Sequence, residues 1–175
     1  FDIVYSNGVL HHSPDTERCI EEVYRVLKPG GTTVIMLYSR ISSVYFFNVL
    51  PRALLTGEIF RWPEAQWIGR LTEGKPKFGK IKNPITRVYT RKAMLALFGE
   101  FNVITLRKWS FQFDNFCVPR LTQIRNWILT RLGFEAHPGG IIVYGAPFVP
   151  ETRLERFIGR FLGFCWVITA KKTPA

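Results

Sequence analysis

A strand, a helix and a second strand within the first 39 residues constrain this fold more than any other feature of the sequence. Residues 2–6 are a β-branched and aromatic run that ends at Ser6-Asn7-Gly8, residue types that break a strand. Ser13-Pro14 then predicts a helix start, with Ser13 as the N-cap and Pro14 at the first helical position. A turn at Lys28-Pro29-Gly30-Gly31 ends that helix. The run Thr32–Tyr38 is almost continuously apolar, as in a strand covered on both faces.

This order predicts a parallel βαβ crossover, which places the carboxyl ends of both strands at the same edge of a sheet. Ligands of such sheets bind at that edge, so the functional loops should be residues 6–13 and the region after Tyr38. The helix between the strands should bury one face, and that face consists of Ile20, Val23, Tyr24 and Leu27.

Irregular sequence follows the second strand, and we interpret residues 41–86 as an inserted cap. Helical pieces are predicted at Val44–Leu55 and Glu64–Leu71, before a Gly/Lys/Pro-rich stretch over 73–84. Aromatic residues and arginines alternate in the cap, a composition that suits an apolar substrate pocket, a membrane interface or stacked nucleotides, or simply packing on the sheet.

The remaining pattern predicts two further strands and three helices. Thr90 is a candidate N-cap for a helix through Phe98, and Phe101–Trp109 is a predicted strand. A second insertion spans residues 110–150, where Leu121, Ile124, Ile128 and Leu132 predict the apolar stripe of a helix that ends at Gly133, with Arg120, Arg125 and Arg131 opposite. Residues 134–150 have the composition of a loop with one apolar run. A last helix should start at Pro150, with Leu154, Phe157, Ile158, Phe161 and Leu162 on one face, before a strand over 164–172.

The charge balance favours an anionic partner. The chain has 24 Lys and Arg against 13 Asp and Glu, a net charge of +11. RNA, anionic lipid or an acidic small molecule would fit this charge, and so would solvation of helix faces. Three widely spaced cysteines form neither a metal motif nor a closed disulfide framework, which favours a reducing cytoplasm. No run approaches the ~20 apolar residues that span a bilayer.

Two blocks of sequence resemble the class I S-adenosylmethionine-dependent methyltransferases of the small-molecule type (type 11-like). The blocks are residues 1–12, FDIVYSNGVLHH, and residues 25–31, RVLKPGG, and their spacing matches as well. Residues 83–91 and 164–172 carry a weaker likeness to later parts of the same fold. The resemblance implies an α/β Rossmann-like fold. Because the chain opens on a strand with no Met or cap before it, we expect the C-terminal part (1–175) of one domain, starting at the fourth strand.

The expected partial sheet has the strand order 4-5-7-6, with the last strand antiparallel. The cofactor implied by the family is S-adenosylmethionine, and Ser6, Asn7, Gly8 and Val9 match the loop that lies beside its methionine moiety. The glycine-rich loop and the acidic residue that hold the rest of the cofactor should lie upstream. The chain alone should therefore bind the cofactor weakly and be inactive, and its unpaired edge strand should favour association.

The candidate catalytic residues are His11 and His12, since a histidine that titrates near neutrality can deprotonate a substrate. The alternative is that one of them packs under the loop or caps the following helix. Tyr38, Arg40 and Tyr45 fall where substrate-binding residues occur in such folds, and each could instead be a packing or surface residue.

Three functions remain open from the sequence. The leading one is methylation of a small, apolar metabolite by a cytoplasmic enzyme that touches a membrane surface through the aromatic and basic insertion. An RNA methyltransferase is the second, although the chain lacks an Asn- or Asp-Pro-Pro-aromatic motif after the first strand. The third is a non-catalytic basic module that binds lipid or a protein. The methyl acceptor, the need for a general base and the oligomeric state do not follow from the residues.

Overall fold

The first 39 residues form the predicted crossover. In the computed structural model, which describes residues 1–72, 84–114, 116, 120–137 and 149–174, strand β1 (Ile3–Asn7) leads through a 3-10 turn at Leu10–His12 to helix α1 (Thr16–Val26) and strand β2 (Thr32–Ser39). The two strands are parallel and in register from Ile3 opposite Thr32 to Asn7 opposite Met36. Their carboxyl ends therefore share one edge of the sheet, as predicted.

The N-cap of α1 is Asp15, and the prediction of Ser13 was wrong. The Asp15 carboxylate accepts a hydrogen bond from the Arg18 backbone N–H at 2.9 Å, while Ser13 Oγ bonds the Asp15 backbone. A carboxylate satisfies an unpaired N–H of the first turn as a hydroxyl does, and its negative charge also complements the helix dipole. Pro14 consequently lies before the helix.

The sheet has the predicted strand order and orientation. Strand β5 (Cys165–Lys172) lies between β2 and β4 (Phe101–Trp109) and is antiparallel to both, so the order is β1-β2-β5-β4. A two-residue strand β3 (Val88–Tyr89) pairs with the carboxyl end of β2. This is the order 4-5-7-6 with an antiparallel last strand that the family resemblance implied.

Helices occupy the interval that we interpreted as a cap. A π-helical turn at Tyr45–Val49 continues into α2 (Leu50–Thr56), followed by α3 (Glu58–Arg61) and α4 (Glu64–Thr72). These pieces bury a small core of their own. The division of the chain into a domain core with insertions at 41–86 and 110–150 stays a prediction, and most of the Gly/Lys/Pro-rich stretch falls outside the described residues.

The main core lies between one face of the sheet and two helices. Helix α1 contributes Ile20 and Val23, and Leu27 directly follows it. Helix α5 (Arg91–Leu97), which Thr90 caps as predicted, contributes Met94. The partners from the strands and the turn after α5 are Ile35, Leu37, Phe98, Phe101, Trp166, Ile168 and Ala170.

Two helices follow β4 in the described chain, and each leaves most of its apolar stripe exposed. Helix α6 (Leu121–Arg131) buries Arg125 and Leu129 and exposes Ile124 and Ile128. Helix α7 (Arg153–Leu162) starts after the N-cap Thr152, not at Pro150. It buries Glu155 and Gly159, whereas Leu154, Phe157 and Phe161 are 57%, 57% and 63% exposed.

A buried ion pair explains the orientation of both helices. Arg125 Nε and Nη2 donate to the two Glu155 carboxylate oxygens at 2.7 and 2.8 Å. The same carboxylate accepts from the backbone N–H groups of Phe113 and Thr152 at 2.9 and 2.8 Å. Turning either helix to bury its apolar stripe would break this network, because the charged residues occupy the inward faces. The helical spacing in the sequence shows which residues share a face of one helix. It does not show that Arg125 and Glu155, on different helices, form an ion pair.

Candidate functional site

The loop after β1 opens at the edge of the sheet where the parallel strands end. Ser6 is half-buried and Asn7 is exposed at the end of β1, and Val9 is 62% exposed. Gly8 has φ +74°, and a Cβ there would come 3.5 Å from the Met36 methyl group. This left-handed backbone conformation favours glycine. Because glycine has no side chain, a ligand can also approach the loop closely at this position. The structure therefore brings Ser6, Asn7, Gly8 and Val9 together at the predicted edge.

His11 is completely buried at this edge. Its ring lies 3.8 Å from the Tyr38 ring between centroids, and neither ring nitrogen has a hydrogen-bond partner among the described residues. Burial, followed by the charge of His12, lowers the pKa of His11 to about 3. His11 is therefore neutral at pH 7, and it packs under the loop, which was one of the three possibilities predicted for it.

His12 lies beside His11 but in a polar environment. The two ring centroids are 4.1 Å apart, and His12 Nδ1 lies 3.0 Å from Thr86 Oγ1 and 3.3 Å from the Ile85 carbonyl oxygen. A carbonyl oxygen only accepts hydrogen bonds, so this contact favours the tautomer with the proton on Nδ1. The basic nitrogen of His12 is then Nε2.

A second polar cluster joins the end of β2 to the cap. The Tyr45 hydroxyl donates to Glu64 Oε1 at 2.5 Å, and Arg40 Nη2 lies 3.1 Å from the same oxygen. Burial and then the hydrogen bond to Glu64 raise the pKa of Tyr45, while the hydrogen bond to Tyr45 and the charge of Glu64 raise the pKa of Arg40. Arg40 keeps half of its side chain exposed, whereas Tyr45 is buried.

The backbone connects the two clusters. The Thr86 N–H donates to the Ala65 carbonyl at 2.8 Å, and the Arg87 N–H donates to the His11 carbonyl at 2.8 Å. Thr86 therefore touches His12 through its hydroxyl and the start of α4 through its amide. The cap, the histidine pair and the end of β2 form one continuous region at the carboxyl edge of the sheet.

Sequence reasoning missed Glu64 and Thr86. Glu64 follows Pro63 in the first turn of a helix, where an acidic residue normally only complements the helix dipole. Thr86 lies 74 residues from His12 along the chain. Residues 83–91 carry a weak likeness to the family, but the contact of Thr86 with the histidine loop depends on β3 pairing with β2.

Comparison with known proteins agrees with this geometry. Residues 1–35 match a family model described as a methyltransferase domain. The chain is 33% identical over 86 residues to a demethylmenaquinone methyltransferase of Lactococcus lactis, covering 43% of this chain and 33% of that protein. It is 26% identical over 121 residues to a ubiquinone/menaquinone biosynthesis C-methyltransferase of Hydrogenovibrio crunogenus, covering 63% of this chain and 46% of that protein.

A solved structure has the same fold. The whole chain superposes on 60% of an S-adenosylmethionine-dependent methyltransferase from Methanosarcina mazei, with a TM-score of 0.51 and 18% sequence identity. The chain spans less than half the length of either quinone methyltransferase. The chain therefore has the fold of an S-adenosylmethionine-dependent methyltransferase, and its first 35 residues match the methyltransferase-domain family model.

Proposed function

We propose that this chain forms part of the active site of an enzyme that transfers a methyl group from S-adenosylmethionine to a small, apolar metabolite. The observation that carries the proposal is the open loop of residues 6–9 at the shared carboxyl edge of β1 and β2, directly before the histidine pair and beside the cap. A parallel sheet presents its ligands at this edge. The rest of the cofactor site would come from sequence outside this chain.

The loop fits the methionine end of the cofactor. The exposed Asn7 amide offers a donor and an acceptor for a carboxylate or an ammonium, and Gly8 presents no Cβ. When bound, S-adenosylmethionine supplies a methyl group on a positively charged sulfur. The protein's contribution is then mainly to align the acceptor atom in line with that methyl group.

His12 is the better candidate for a general base. With Nδ1 held by Thr86 and Ile85, Nε2 is the atom that would accept a proton from a hydroxyl or carbon acid as the acceptor forms its bond to the methyl carbon. His11 would be a poor base, because its pKa of about 3 leaves little affinity for a proton near neutral pH. We propose that His11 instead holds Tyr38 in place by packing against its ring.

The exposed aromatic side chains of the cap are evidence for an apolar substrate. Phe46, Phe47, Phe60 and Trp62 are between 41% and 82% exposed. Tyr38 and Arg40 lie between the histidine pair and this cap, and we propose that they contact the substrate, with Tyr45 holding Glu64 and Arg40 in place. The similarity to two methyltransferases named for quinone biosynthesis supports a small apolar acceptor. We place the enzyme in the cytoplasm.

The decisive test measures cofactor binding and methyl transfer with the whole protein that contains this chain. Calorimetry should detect S-adenosylmethionine binding, and Asn7→Ala should weaken it by roughly tenfold, because a hydrogen bond to a charged group contributes about 1.5 kcal/mol. Asn102→Ala, at an exposed position of β4, is the matched control. A labelled methyl group should move into a solvent-extractable metabolite fraction.

The same assay separates the alternatives. Label that appears in RNA would replace the metabolite proposal with an RNA methyltransferase, and absence of cofactor binding by the whole protein would favour a non-catalytic basic module. His12→Gln should lower kcat by roughly a hundredfold while leaving the cofactor Kd unchanged. His137→Gln should alter neither value. A normal kcat in His12→Gln would remove the proposed base.

A further inference from the structure

The outward surface of α6 and α7 combines exposed apolar side chains with arginines. On α7, Leu154, Phe157 and Phe161 are each more than half exposed. At 100° per residue, Arg153, Arg156 and Arg160 occupy the adjoining sector of the same outward side, and all three are exposed. An exposed apolar stripe beside a cationic stripe is the pattern of a helix that lies in the plane of a lipid interface.

Helix α6 extends this surface. Ile124, Trp127 and Ile128 are 49%, 62% and 44% exposed, and the Arg131 guanidinium lies 5.7 Å from the centre of the Trp127 ring. An apolar groove of about 490 Å³ separates the two helices. We call the outward sides of α6 and α7 together the α6/α7 face.

Acidic side chains are missing from the α6/α7 face as the structure describes it. Helix α6 contains no Asp or Glu, and the only one in α7 is Glu155, whose carboxylate is buried against Arg125. The ionisable side chains on the outward sides of the two helices are therefore arginines. A second copy of the chain docked through the same face would set arginine against arginine, which opposes self-association.

The α6/α7 face also reaches the candidate active site. Lys108 Nζ donates to the carbonyls of Ile41 and Phe161, and Ser43 Oγ donates to the carbonyl of Leu162. The carboxyl end of α7 therefore packs against the segment that joins β2 to the cap. A surface on which α7 lay would therefore adjoin the start of the cap.

We infer that the α6/α7 face docks the protein on an anionic lipid bilayer surface. Phe157 and Phe161 would enter the boundary between headgroups and acyl chains, while Arg153 and Arg160 would contact lipid phosphates. No helix within the described ranges is long and apolar enough to cross a bilayer, so the contact is peripheral. The inference does not depend on methyl transfer.

The test is sedimentation of the whole protein with vesicles of phosphatidylcholine alone or with 30% phosphatidylglycerol. We expect binding only to the anionic vesicles, weakened by high salt. Phe157→Asp/Phe161→Asp should reduce binding at least tenfold, since each ring would lose its burial in lipid. The matched control is Leu55→Asp/Phe60→Asp in the cap, where the residues are 87% and 82% exposed and the charge change is the same.

A second pair of variants tests the charge contribution. Arg153→Gln/Arg160→Gln should weaken binding about 25-fold, at roughly fivefold per arginine near an anionic surface. Arg18→Gln/Arg25→Gln, on the exposed side of α1, removes the same net charge and should weaken binding less than threefold. Equal losses in both pairs would show non-specific attraction and overturn the assignment.

Tryptophan fluorescence reports the orientation independently. Vesicles should shift the emission of the wild type to shorter wavelength, and Trp127→Phe should remove most of that shift. Trp109→Phe, at a half-exposed residue of β4, should not. Three results would overturn the proposal: no binding to anionic vesicles, loss of binding in the cap variant alone, or self-association that Phe157→Asp/Phe161→Asp abolishes without any vesicle binding.

Discussion

The ion pair between α6 and α7 should be among the most strongly coupled polar contacts in the described chain. Its side chains are 6% and 1% exposed, and Glu155 accepts four hydrogen bonds, two from Arg125 and two from backbone N–H groups. Removing one partner of a buried pair leaves the other charge unpaired and costs about 3–5 kcal/mol. We expect Glu155→Ala to lower the free energy of unfolding by this amount.

A double-mutant cycle measures the coupling. Arg125→Met should cost about 3 kcal/mol, because the Glu155 carboxylate keeps its two backbone partners. Arg125→Met combined with Glu155→Ala should cost little more than Glu155→Ala alone, giving a coupling of roughly 2–3 kcal/mol by urea unfolding. The control cycle uses Arg25 and Glu22, an exposed pair at 2.8 Å on α1, which should couple by less than about 0.5 kcal/mol.

The pH dependence of this cycle has a definite sign. Burial alone would raise the pKa of Glu155, but the hydrogen bonds from Arg125, Thr152 and Phe113 outweigh burial and lower the pKa to about 2. A carboxyl group whose pKa is lower in the folded state stabilises the protein at pH values above its ordinary pKa of 4.5. That contribution is lost as the pH falls from 4.5 toward 2. The coupling should therefore be the same at pH 7 and pH 5. A coupling below 0.5 kcal/mol at pH 7, or its disappearance by pH 5, would refute the buried pair.

Three further predictions concern the core and the helix ends. The wild type should lose about 2 kcal/mol of unfolding free energy between pH 6.5 and pH 5, because His11 in the unfolded state binds a proton near pH 6.5, whereas in the folded state it stays neutral down to about pH 3. His11→Phe should abolish this loss, as measured by urea unfolding at both pH values. The same change in unfolding free energy for both proteins would contradict the prediction. Gly163→Ala should destabilise by about 2–3 kcal/mol in thermal unfolding, since its Cβ would lie 2.3 Å from the Gly159 carbonyl oxygen and 2.5 Å from that of Trp109. Thr90→Ala should cost about 1 kcal/mol by loss of the N-cap, with Thr90→Ser near neutral as the control.

The strands were predictable because their signals are local. The apolar run before Ser39, the glycine turn at 30–31 and the spacing of Phe101–Trp109 each specify an element without reference to the rest of the chain. The order of the strands came from the family resemblance, since nothing in the residues of β5 indicates that it inserts between β2 and β4.

The faces of α6 and α7 were not predictable from their periodicity. Both helices have an apolar stripe, and the ordinary expectation is that the stripe faces the core. Arg125 and Glu155 reverse this expectation because each supplies the other's missing charge and hydrogen bonds. That pairing joins residues 30 apart in different helices, and composition alone would assign both to the surface.

The candidate site was predictable in part. The loop of residues 6–9 follows from the strand end, and its position at the open edge follows from the parallel crossover. The different roles of His11 and His12 do not, because one ring faces Tyr38 and the other faces Thr86 and Ile85, and only the fold brings these residues next to the loop.

The position of β5 constrains how this chain can be synthesised. Residues 165–172 form the interior strand that joins β2 to β4, so β4 has no neighbour among the described strands until β5 arrives. While the ribosome still holds those residues, β1, β2 and β3 can already pair, but β4 waits with its backbone groups unpaired. Completion of the sheet is therefore tied to release of residue 172 from the exit tunnel. Slow translation of residues 165–172 would prolong the time in which nascent chains can pair with one another.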